Sequence, residues 1–494
     1  SAASDVYKRQ MMDDKEFAAE VLLALPYRAN DQQVAVVAAL SRFCAIGARP
    51  DGVFVLNGYA GTGKTSLTGA LVKTLTAHKR AVMLLAPTGR AAKVFSANSG
   101  GFPAYTIHRK IYRHDPNGVT NGWGNMHMPA ENKLRDAVFI VDEASMIGVG
   151  DGKGDSLLDD LVTFVYAGEG CRLILIGDTA QLPPVGSDRS PAMNPDVLRR
   201  LGLKVTHATL TETARQAADS GILFNATRLR RTMAAITKRQ TEGATGPMPI
   251  PKLRPADDVV VVAHEDLPEM LTSSYADGIS DTILITLSNR RAADYNAAIR
   301  TEVLYREDEI MRDDMLIVSR NHYFGKKVGG IDFIANGDIL TVVAVYGSET
   351  RYGLRFADVR LSLPVPDGEP VEFDIKILLD SLASPEAGIS QEAWNALYYG
   401  LMADDGPYAD RPVDARLRAL RTDPYWTALH VKYAYAVTCH KAQGGQWGDV
   451  YVDLAYIPED ALNLSLYRWL YTAVTRARRT LYLIAPPDAL LDKR

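Results

Sequence analysis

The stretch NGYAGTGKTSLTG, residues 57–69, decides the fold of this chain. It carries the pattern G-x-x-x-x-G-K-[ST], follows the apolar run 53–56 and precedes a segment with leucines at helical spacing. In this setting a glycine-rich turn lets backbone N–H groups converge on phosphate oxygens at the start of a helix. Lys64 then reaches the β- and γ-phosphates of a nucleotide, and Thr65 can ligate Mg²⁺. The predicted phosphate-binding set is Gly58, Tyr59, Ala60, Gly61, Thr62, Gly63, Lys64, Thr65 and Ser66.

Short apolar runs bounded by turn residues recur in two series along the chain. The runs of the first series begin at residues 53, 81, 137 and 172, and Leu67, Leu71 and Leu75 repeat at helical spacing after the first run. Strand, helix and strand within about 30 residues indicate a βαβ unit. The second series begins at residues 259, 283, 450 and 481. The sequence therefore predicts an α/β fold with two parallel sheets flanked by helices.

The pattern changes in the middle of the second series. Residues 337–378 are rich in β-branched residues and turns, which predicts a small antiparallel barrel inserted into the second α/β domain. Residues 381–422 are mixed helical and polar, without a clear period.

Two carboxylates end the apolar run of FIVDEAS, residues 139–145. Asp142 is predicted to hold the metal ion together with Thr65, and Glu143 to polarise the attacking water as the base. Adjacent acidic residues are also common on protein surfaces. The four apolar residues before this pair favour a buried strand that ends at a functional site.

Four further residues complete a candidate nucleotide site. Gln181, in IGDTAQLPPVG, follows another apolar run and is a candidate sensor of the γ-phosphate. Arg215, in LTETARQ, and Arg476, in YTAVTRARR, are candidate arginine fingers. Gln33, in ANDQQ, suits an adenine edge. Taken alone, each arginine is more typical of a surface or ion-pair residue, and Gln33 is an ordinary polar position.

The bulk composition is that of a soluble globular protein, with 47% apolar and 23% charged residues among 494. This length predicts two to four domains. Cys44, Cys171 and Cys439 are too few and too scattered for a disulfide framework or a zinc site, which indicates a reducing compartment. No apolar stretch approaches the roughly 18 residues that span a bilayer, and no signal pattern opens the chain. A cytoplasmic protein of a bacterial or phage-infected cell is expected.

The charge pattern leaves one question open. The formal net charge of −4 gives no general attraction to nucleic acid. The segment 226–254 differs, because it holds seven Lys or Arg residues and only Glu242 against them. It is compatible with a strand-binding patch, and equally with a solvated helix face followed by a flexible loop.

Taken in order, these segments resemble the superfamily 1 helicases, and within them the RecD-like and Dda-type enzymes of the 5′ to 3′ branch. The resemblance covers residues 28–486, and its ordered set of motifs is far more specific than any single match. The matching segments are ANDQQ, GYAGTGKTS, LAPTGRAAKVF, TIHRKI, VDEAS, GDTAQLPPVG, LTETARQ, TLSNRRAADYNAAIR, AVTCHKAQGGQWGDVYV and LYTAVTRARRTLYL.

The resemblance implies two RecA-like domains that use ATP and Mg²⁺ as cofactors. It gives catalytic roles to Lys64, Glu143, Gln181, Arg215 and Arg476, an adenine contact to Gln33, and a nucleotide contact to Gln446. The family commonly has serine and then glutamate at the position of Gly445-Gln446, so Gln446 keeps an acceptor for a ribose hydroxyl without the charge. The implied DNA contacts are Thr88, Arg90, Lys93, Thr106, His108, Asn289, Arg290, Thr438 and His440.

An insertion is expected at about residues 112–134. Asn117-Gly118 is a tight-hairpin signal, and Trp123 supplies apolar bulk. In the resembled family a hairpin here is the pin that splits the duplex. A loop whose Trp123 packs on its own domain is an equal alternative.

The expected domain plan follows from these segments. It places an N-terminal tail and leading helix at 1–27, a first RecA-like domain with the pin-type β-hairpin insertion at 28–204, a second RecA-like domain at 205–315 and 425–494, and an SH3-like barrel insertion with a helical extension at 316–424.

The expected function is that of a monomeric ATP-dependent helicase that translocates 5′ to 3′ on single-stranded DNA and unwinds forked duplex DNA by the pin. Single-stranded DNA-binding or replication proteins are candidate partners, and no membrane is involved. Two alternatives stay open. One is a translocase subunit of a recombination-repair complex, and the other is a P-loop ATPase or kinase that does not act on DNA.

Overall fold

The computed structural model describes residues 14–45, 51–113, 128–148, 156–212, 220–244, 246–365, 369–382, 384, 388–403 and 405–492, without the side chains of residues 325, 326, 332 and 459. The chain divides into two compact units. The first comprises Ser1–Pro251 and Asn463–Thr475, and the second comprises Lys252–Leu462 and Arg476–Arg494. In the part of the chain that the structure describes, every helix is too short or too polar to cross a membrane.

The first unit is built on a six-stranded parallel sheet in the order β3-β2-β6-β7-β1-β8. The first-series runs at 53, 81, 137 and 172 form β1, β2, β6 and β7, as predicted. The strands of this unit are β1 (Gly52–Gly58), β2 (Val82–Ala86), β3 (Ala104–Thr106), β4 (Tyr112–Arg113), β5 (Met128–Pro129), β6 (Val138–Val141), β7 (Arg172–Gly177) and β8 (Lys204–Leu210).

Helices cover both faces of this sheet. Val53 and Val55 of β1 pack into the core on one face, and Phe54 and Leu56 pack into the core on the other, because successive side chains of a strand point to opposite faces. This is why the strands read as continuous apolar runs. The helices of the unit are Asp14–Leu23, Asp31–Cys44, Lys64–Ala77, Gly89–Asn98, Ile107–Ile111, Leu157–Ala167, Pro195–Arg200, Gly221–Thr241 and Leu464–Val474.

The first unit extends further along the chain than the expected boundary at residue 204. Strand β8 pairs with β1 from Lys204 to Leu210, so these residues complete the first sheet and do not open the second domain. The long helix Gly221–Thr241 and the distant helix Leu464–Val474 also belong to this unit. The boundary was missed because β8 is a half-exposed edge strand of mixed polarity, without an apolar run.

A short antiparallel pair marks the root of the expected hairpin. Tyr112 of β4 pairs with Pro129 of β5, and Arg113 pairs with Met128. The Tyr112 hydroxyl donates a hydrogen bond to Asp160 on the helix Leu157–Ala167, which ties this root to the sheet domain. The predicted pin residues Asn117, Gly118 and Trp123 lie outside the described residues.

The second unit contains a five-stranded parallel sheet in the order β18-β10-β19-β20-β9. The apolar runs of the second series form β9, β10, β19 and β20, as predicted. The sheet strands are β9 (Val259–Val262), β10 (Thr282–Thr286), β18 (Ala436–Thr438), β19 (Trp447–Asp453) and β20 (Ala477–Ile484), and their helices are Leu267–Gly278, Asn289–Ala298 and Cys439–Ala442.

A closed barrel interrupts this sheet domain, as predicted, although its fourth and fifth strands pair parallel and the barrel is therefore not wholly antiparallel. Its order is β11-β14-β15-β16-β17, with β12 and β13 as a separate pair, and the helices Gln391–Met402 and Val413–Leu420 precede the last strand. The expected end at residue 424 falls short, because Leu429–Tyr433 closes the barrel between its first and fourth strands. The strands are β11 (Met315–Val318), β12 (His322–Val328), β13 (Ile331–Ile334), β14 (Ile339–Arg351), β15 (Leu354–Leu363), β16 (Val371–Leu378) and β17 (Leu429–Tyr433).

A buried ionic cluster stands where the barrel leaves the sheet domain. The Asp314 side chain has 0% exposure, and its carboxylate accepts hydrogen bonds from Nε and Nη2 of Arg300, both at 3.0 Å, and from Nη1 of Arg306 at 2.6 Å. The Tyr435 hydroxyl adds a contact at 2.9 Å. Two cations around one carboxylate make this junction sensitive to the loss of Asp314.

His430 of β17 is a second buried polar group of the barrel. Its ring stacks on Trp394, with centroids 5.5 Å apart and planes 12° from parallel. Burial, and then the charge of Arg320, lower the pKa of His430 to about 4. The imidazole is therefore neutral at neutral pH.

Candidate functional site

Three polar segments meet at the carboxyl edge of the first sheet. The glycine-rich turn follows β1, Asp142 and Glu143 follow β6, and residues 178–182 follow β7, which lies between those two strands. Because carboxyl ends of parallel strands share one edge, the predicted phosphate cradle, carboxylate pair and Gln181 lie on neighbouring strands. The structure thus places the glycine-rich turn, the carboxylate pair and Gln181 at one edge of this sheet.

The glycine-rich turn is held by its own side chains. Lys64 Nζ donates to the backbone oxygens of Gly58 and, at 3.0 Å, of Tyr59, and Thr62 Oγ1 donates to the oxygen of Tyr59 at 2.8 Å. A Cβ at Gly58 would lie 2.6 Å from Lys64 Cγ, so only glycine lets the lysine chain pass. Gly63 has φ 82° and ends the turn immediately before the helix Lys64–Ala77.

Gln33 and Tyr27 brace this turn. Gln33 is 1% exposed, its Oε1 accepts from the Asn30 N–H at 3.1 Å, and its Nε2 donates to the Thr62 oxygen at 3.0 Å. Nε2 also donates to the Tyr27 hydroxyl at 3.3 Å, which in turn reaches the Gly63 oxygen at 3.5 Å. The adenine contact of Gln33 stays a prediction, and the structure adds a supporting role that the sequence did not reveal.

In the carboxylate pair, Glu143 has an unusual backbone conformation and Asp142 has a raised pKa. Glu143 has φ 52°, in the left-handed region that large residues seldom adopt outside functional sites. Its N–H donates to Asp142 Oδ1 at 2.9 Å. Burial, and then the negative charge of Glu143, raise the pKa of Asp142 to about 7, against the opposing charge of Lys64. The oxygens of Asp142 and of the Thr65 hydroxyl, both predicted metal ligands, are of the type that Mg²⁺ prefers.

Gln181 has a side-chain oxygen ready for a ligand. The residue is 7% exposed, and its Oε1 is buried and accepts no hydrogen bond from any described residue. A buried acceptor without a donor costs free energy and often marks a functional position. This supports the predicted role toward the nucleotide.

A contact network behind the site was not predicted from the sequence. The Tyr471 hydroxyl accepts from the Ala60 N–H at 2.9 Å and donates to Asp178 Oδ2 at 2.7 Å. Thr472 Oγ1 accepts from the Leu182 N–H at 2.8 Å. The available signal was the position of Tyr471 on an apolar helix immediately before Arg476, and of Asp178 directly after a buried strand.

One arginine of the basic segment 226–254 reaches the glycine-rich turn. The guanidinium carbon of Arg230 lies 4.2 Å from the centroid of the Tyr59 ring, and Nη1 donates to the Thr211 oxygen at 3.3 Å. A cation over an aromatic face at this distance is a favourable contact. Arg230 is therefore a packing partner of the nucleotide site, which neither interpretation of the basic segment had predicted.

The remaining predicted nucleotide residues are Arg476 and Gln446 of the second unit, and Arg215. Arg476, immediately before β20 in the second unit, is 5% exposed and its Nη1 donates to the Gly445 oxygen at 3.2 Å. Gln446 follows directly and is exposed. Arg215 lies outside the described residues.

The predicted DNA residues of the first unit gather on one sheet edge. Thr88 and Thr106 cap consecutive helices through their hydroxyls, which accept from N–H groups three residues on at 3.2 and 3.3 Å. Their strands are paired, with Ala86 opposite Thr106, so the caps stand side by side. Arg90 and Lys93 lie on the first capped helix and His108 on the second.

Tyr105 was missed as a neighbour of these residues. The Arg109 guanidinium and the Lys110 ammonium lie 5.5 and 5.2 Å from its ring. The strand edge therefore concentrates cations beside an aromatic ring, a combination that suits a nucleic-acid backbone with unpaired bases.

The second unit shows an equivalent edge. Thr286 and Thr438 are opposite residues at the carboxyl ends of β10 and β18, so the segments carrying Asn289, Arg290 and His440 start next to each other. Asn289, Arg290 and His440 are exposed.

Arg291, next to Arg290, forms an ion pair with a buried carboxylate. Its Nε and Nη2 donate to the two oxygens of Asp453 at 2.5 and 2.8 Å, and Asp453 is 1% exposed. A bidentate pair of this kind holds the helix start firmly while leaving Arg290 to solvent.

Two protein-family profiles match the chain in order. The AAA domain profile matches residues 28–245, and the UvrD-like helicase C-terminal domain profile matches residues 433–484. The second match spans β18 to β20, including the motif around Arg476. The predicted resemblance to the superfamily 1 helicases is confirmed, and so is the α/β class, with two parallel sheets and a closed barrel.

Individual relatives point the same way. The chain is 35% identical over 169 residues to the ATP-dependent RecD2 DNA helicase of Deinococcus radiodurans, an alignment that covers 34% of this chain and 20% of that protein. The chain thus spans about a fifth of that relative's length.

Solved structures of Pif1 helicases match this chain over most of its length. A Bacteroides Pif1 helicase in complex with ADP-AlF3 and ssDNA has 15% identity and a TM-score of 0.45, with 94% of each chain covered. The Pif1 helicase of Candida albicans has 16% identity and a TM-score of 0.40, with 95% of this chain and 98% of that chain covered.

Proposed function

We propose that this protein is an ATP-dependent DNA helicase that moves 5′ to 3′ along single-stranded DNA. The observation that carries the proposal is the grouping of Lys64, Asp142, Glu143 and the unpartnered Gln181 oxygen on neighbouring strands of one sheet edge. The UvrD-like helicase profile and the RecD2 relative support a DNA substrate. The direction follows the resemblance to the 5′ to 3′ branch.

The proposed chemistry is hydrolysis of the γ-phosphate of ATP. Lys64 and the amides of the glycine-rich turn bind the phosphates, Glu143 takes the proton of the attacking water, and Gln181 senses the γ-phosphate. Thr65 and Asp142 would hold Mg²⁺, which supplies positive charge to the phosphate oxygens. Arg215 and Arg476 stabilise the charge that develops on the leaving phosphate.

The proposed movement uses the DNA edges of both units. Thr88 and Thr106 present one edge, and Asn289 and Thr438 present the other. ATP turnover that changes the distance between these edges would step the strand along the protein. Because the proposed contacts are mainly to the phosphate backbone of the DNA, we expect DNA binding that tolerates any base sequence and weakens with salt.

Three further parts of the proposal follow the resemblance. We propose that the segment between β4 and β5 is the pin that splits the duplex, and the antiparallel pairing at its root supports this. We also propose that the protein works as a monomer in the cytoplasm. Forked duplex DNA is its substrate, and single-stranded DNA-binding or replication proteins are its partners.

The test is ATP hydrolysis with and without single-stranded DNA, followed by unwinding of duplexes with a 5′ or a 3′ tail. We expect stimulation by DNA and unwinding from the 5′ tail alone. Glu143→Gln should lower kcat by a factor of about 100 or more while preserving ATP binding. Turnover indifferent to DNA would favour a kinase or small-molecule ATPase, and stimulated turnover without unwinding would favour a translocase subunit.

A further inference from the structure

One helix of the first unit comes from a distant part of the chain. The helix Leu464–Val474 packs within the first unit, whereas the residues before Asn463 and after Thr475 belong to the second. Arg476, the proposed arginine finger, is therefore the first residue after this packed segment. Any force that moves the helix acts directly on the backbone of Arg476.

Hydrogen-bond chemistry fixes the roles of the groups around Tyr471. The Ala60 N–H can only donate, so the Tyr471 oxygen accepts from it at 2.9 Å, and the single hydroxyl proton goes to Asp178 Oδ2 at 2.7 Å. Tyr471 is 1% exposed. Burial, and then the charge of Asp178, raise the pKa of Tyr471 well above its ordinary value, so the proton stays on the hydroxyl. We call this chain of three groups the Tyr471 latch.

The same helix holds the loop that carries Gln181 at both ends. Asp178 before it is tied to Tyr471, and the Leu182 N–H after it donates to Thr472 Oγ1 at 2.8 Å. The other oxygen of Asp178 accepts from the Ala180 N–H at 2.9 Å, which shapes the turn between these anchors. The position of the Gln181 side chain thus depends on two consecutive residues of the helix.

We propose that Tyr471 is a positioning residue for ATP hydrolysis, which sets the glycine-rich turn and Gln181 in register with the helix that leads to Arg476. The proposal rests on the proposed function and deepens it, because it assigns the link between nucleotide and arginine finger. Tyr471 acts through Ala60, Asp178 and Gln181. A change at Tyr471 should therefore affect catalysis more than nucleotide binding.

Tyr471→Phe removes only the hydroxyl, and Tyr451→Phe is its matched control. Tyr451 lies in the sheet of the second unit, where its buried hydroxyl contacts Ser274 Oγ at 2.8 Å and the Met270 oxygen at 2.9 Å. Both variants lose two buried contacts of one tyrosine. We expect Tyr471→Phe to lower kcat by about tenfold with KM for ATP changed less than about threefold, and Tyr451→Phe to leave both unchanged.

Asp178→Asn supplies a double-mutant cycle. If Tyr471 and Asp178 act as one unit, the double variant should be no slower than the slower single variant. Multiplying effects, or a Tyr471→Phe variant with the kcat of the Tyr451→Phe control, would overturn the proposal.

Hydrogen exchange tests the latch without reference to DNA. We expect magnesium-ADP to slow amide exchange of residues 464–474 in the wild-type protein and not in Tyr471→Phe. Equal protection in both proteins would also refute the latch. Wild-type turnover that ignores single-stranded DNA would instead refute the proposed function, while the exchange measurement still decides the role of Tyr471.

Discussion

The substitution Gly63→Ala tests whether the glycine-rich turn is held in place by Tyr27 and Gln33. Gly63 has φ 82°, and a Cβ there would lie 2.2 Å from the Tyr27 hydroxyl oxygen and 2.7 Å from Gln33 Nε2. Ordinary contact needs about 3.5 Å, so the alanine must displace both side chains by about 1 Å. That displacement breaks the bond from Gln33 to the Thr62 oxygen.

Two costs add up in this variant. The left-handed backbone costs an alanine about 1–2 kcal/mol. Loss of the Gln33 hydrogen bond, with a buried partner left over, costs about 1–3 kcal/mol more. The matched control is Gly100→Ala, because Gly100 has φ 70° in the same unit and its added Cβ would meet nothing within 4 Å. The control carries the backbone cost without the collision.

The assay is the affinity for a fluorescent ATP analogue, with thermal unfolding measured in parallel. We expect Gly100→Ala to lower stability by about 1–2 kcal/mol with the affinity changed less than about twofold. Gly63→Ala should weaken the affinity at least about tenfold, which corresponds to about 1.4 kcal/mol. Equal nucleotide affinities of the two variants would refute the supporting role assigned to Tyr27 and Gln33.

Three further predictions concern other parts of the molecule. Asp314→Ala should destabilise the second unit by about 3–5 kcal/mol in urea unfolding, because it leaves the buried Arg300 and the largely buried Arg306 without their carboxylate, whereas removal of the exposed Asp374 should have a much smaller effect. Burial lowers the pKa of His430 from 6.5 to about 4, so between these pH values the unfolded chain binds a proton that the folded protein does not. The free energy of unfolding should therefore fall by about 3 kcal/mol as pH falls from 6.5 to 4. His430→Phe should flatten the dependence of the melting temperature on pH in this range, and an unchanged slope would contradict this. Thr88→Val should cost about 1 kcal/mol of stability through the lost cap and weaken single-stranded DNA binding in fluorescence anisotropy, whereas Thr88→Ser should preserve both.

Much of the fold was predictable because strands buried on both faces of a sheet appear in the sequence as apolar runs. In the first sheet, β1, β6 and β7 are fully buried and read as continuous apolar runs, and the glycine-rich turn identified the start of the following helix. The barrel was visible through its β-branched residues. Edge strand β8 and closing strand β17 were not predicted, because pairing with a distant strand defines them and their local composition does not.

The site was predictable only where chemistry demands particular residue types. Lys64, Asp142, Glu143 and Gln181 follow strands whose carboxyl ends meet, so their proximity could be inferred. The contact of Tyr471 with Asp178 joins residues 293 positions apart, and the sequence around each residue does not predict it. Residues outside the described ranges, including Arg215 and the pin residues, stay predictions.

The return of residues 463–475 to the first unit has a practical consequence for anyone dissecting the protein. A fragment cut after residue 251 would lack one of its own helices and expose the apolar face on which Leu466, Trp469 and Leu470 are buried. Such a truncation should aggregate unless the missing peptide is added or grafted on by circular permutation. Two separated stretches of sequence form this unit, so a single cut through the chain cannot yield the complete unit.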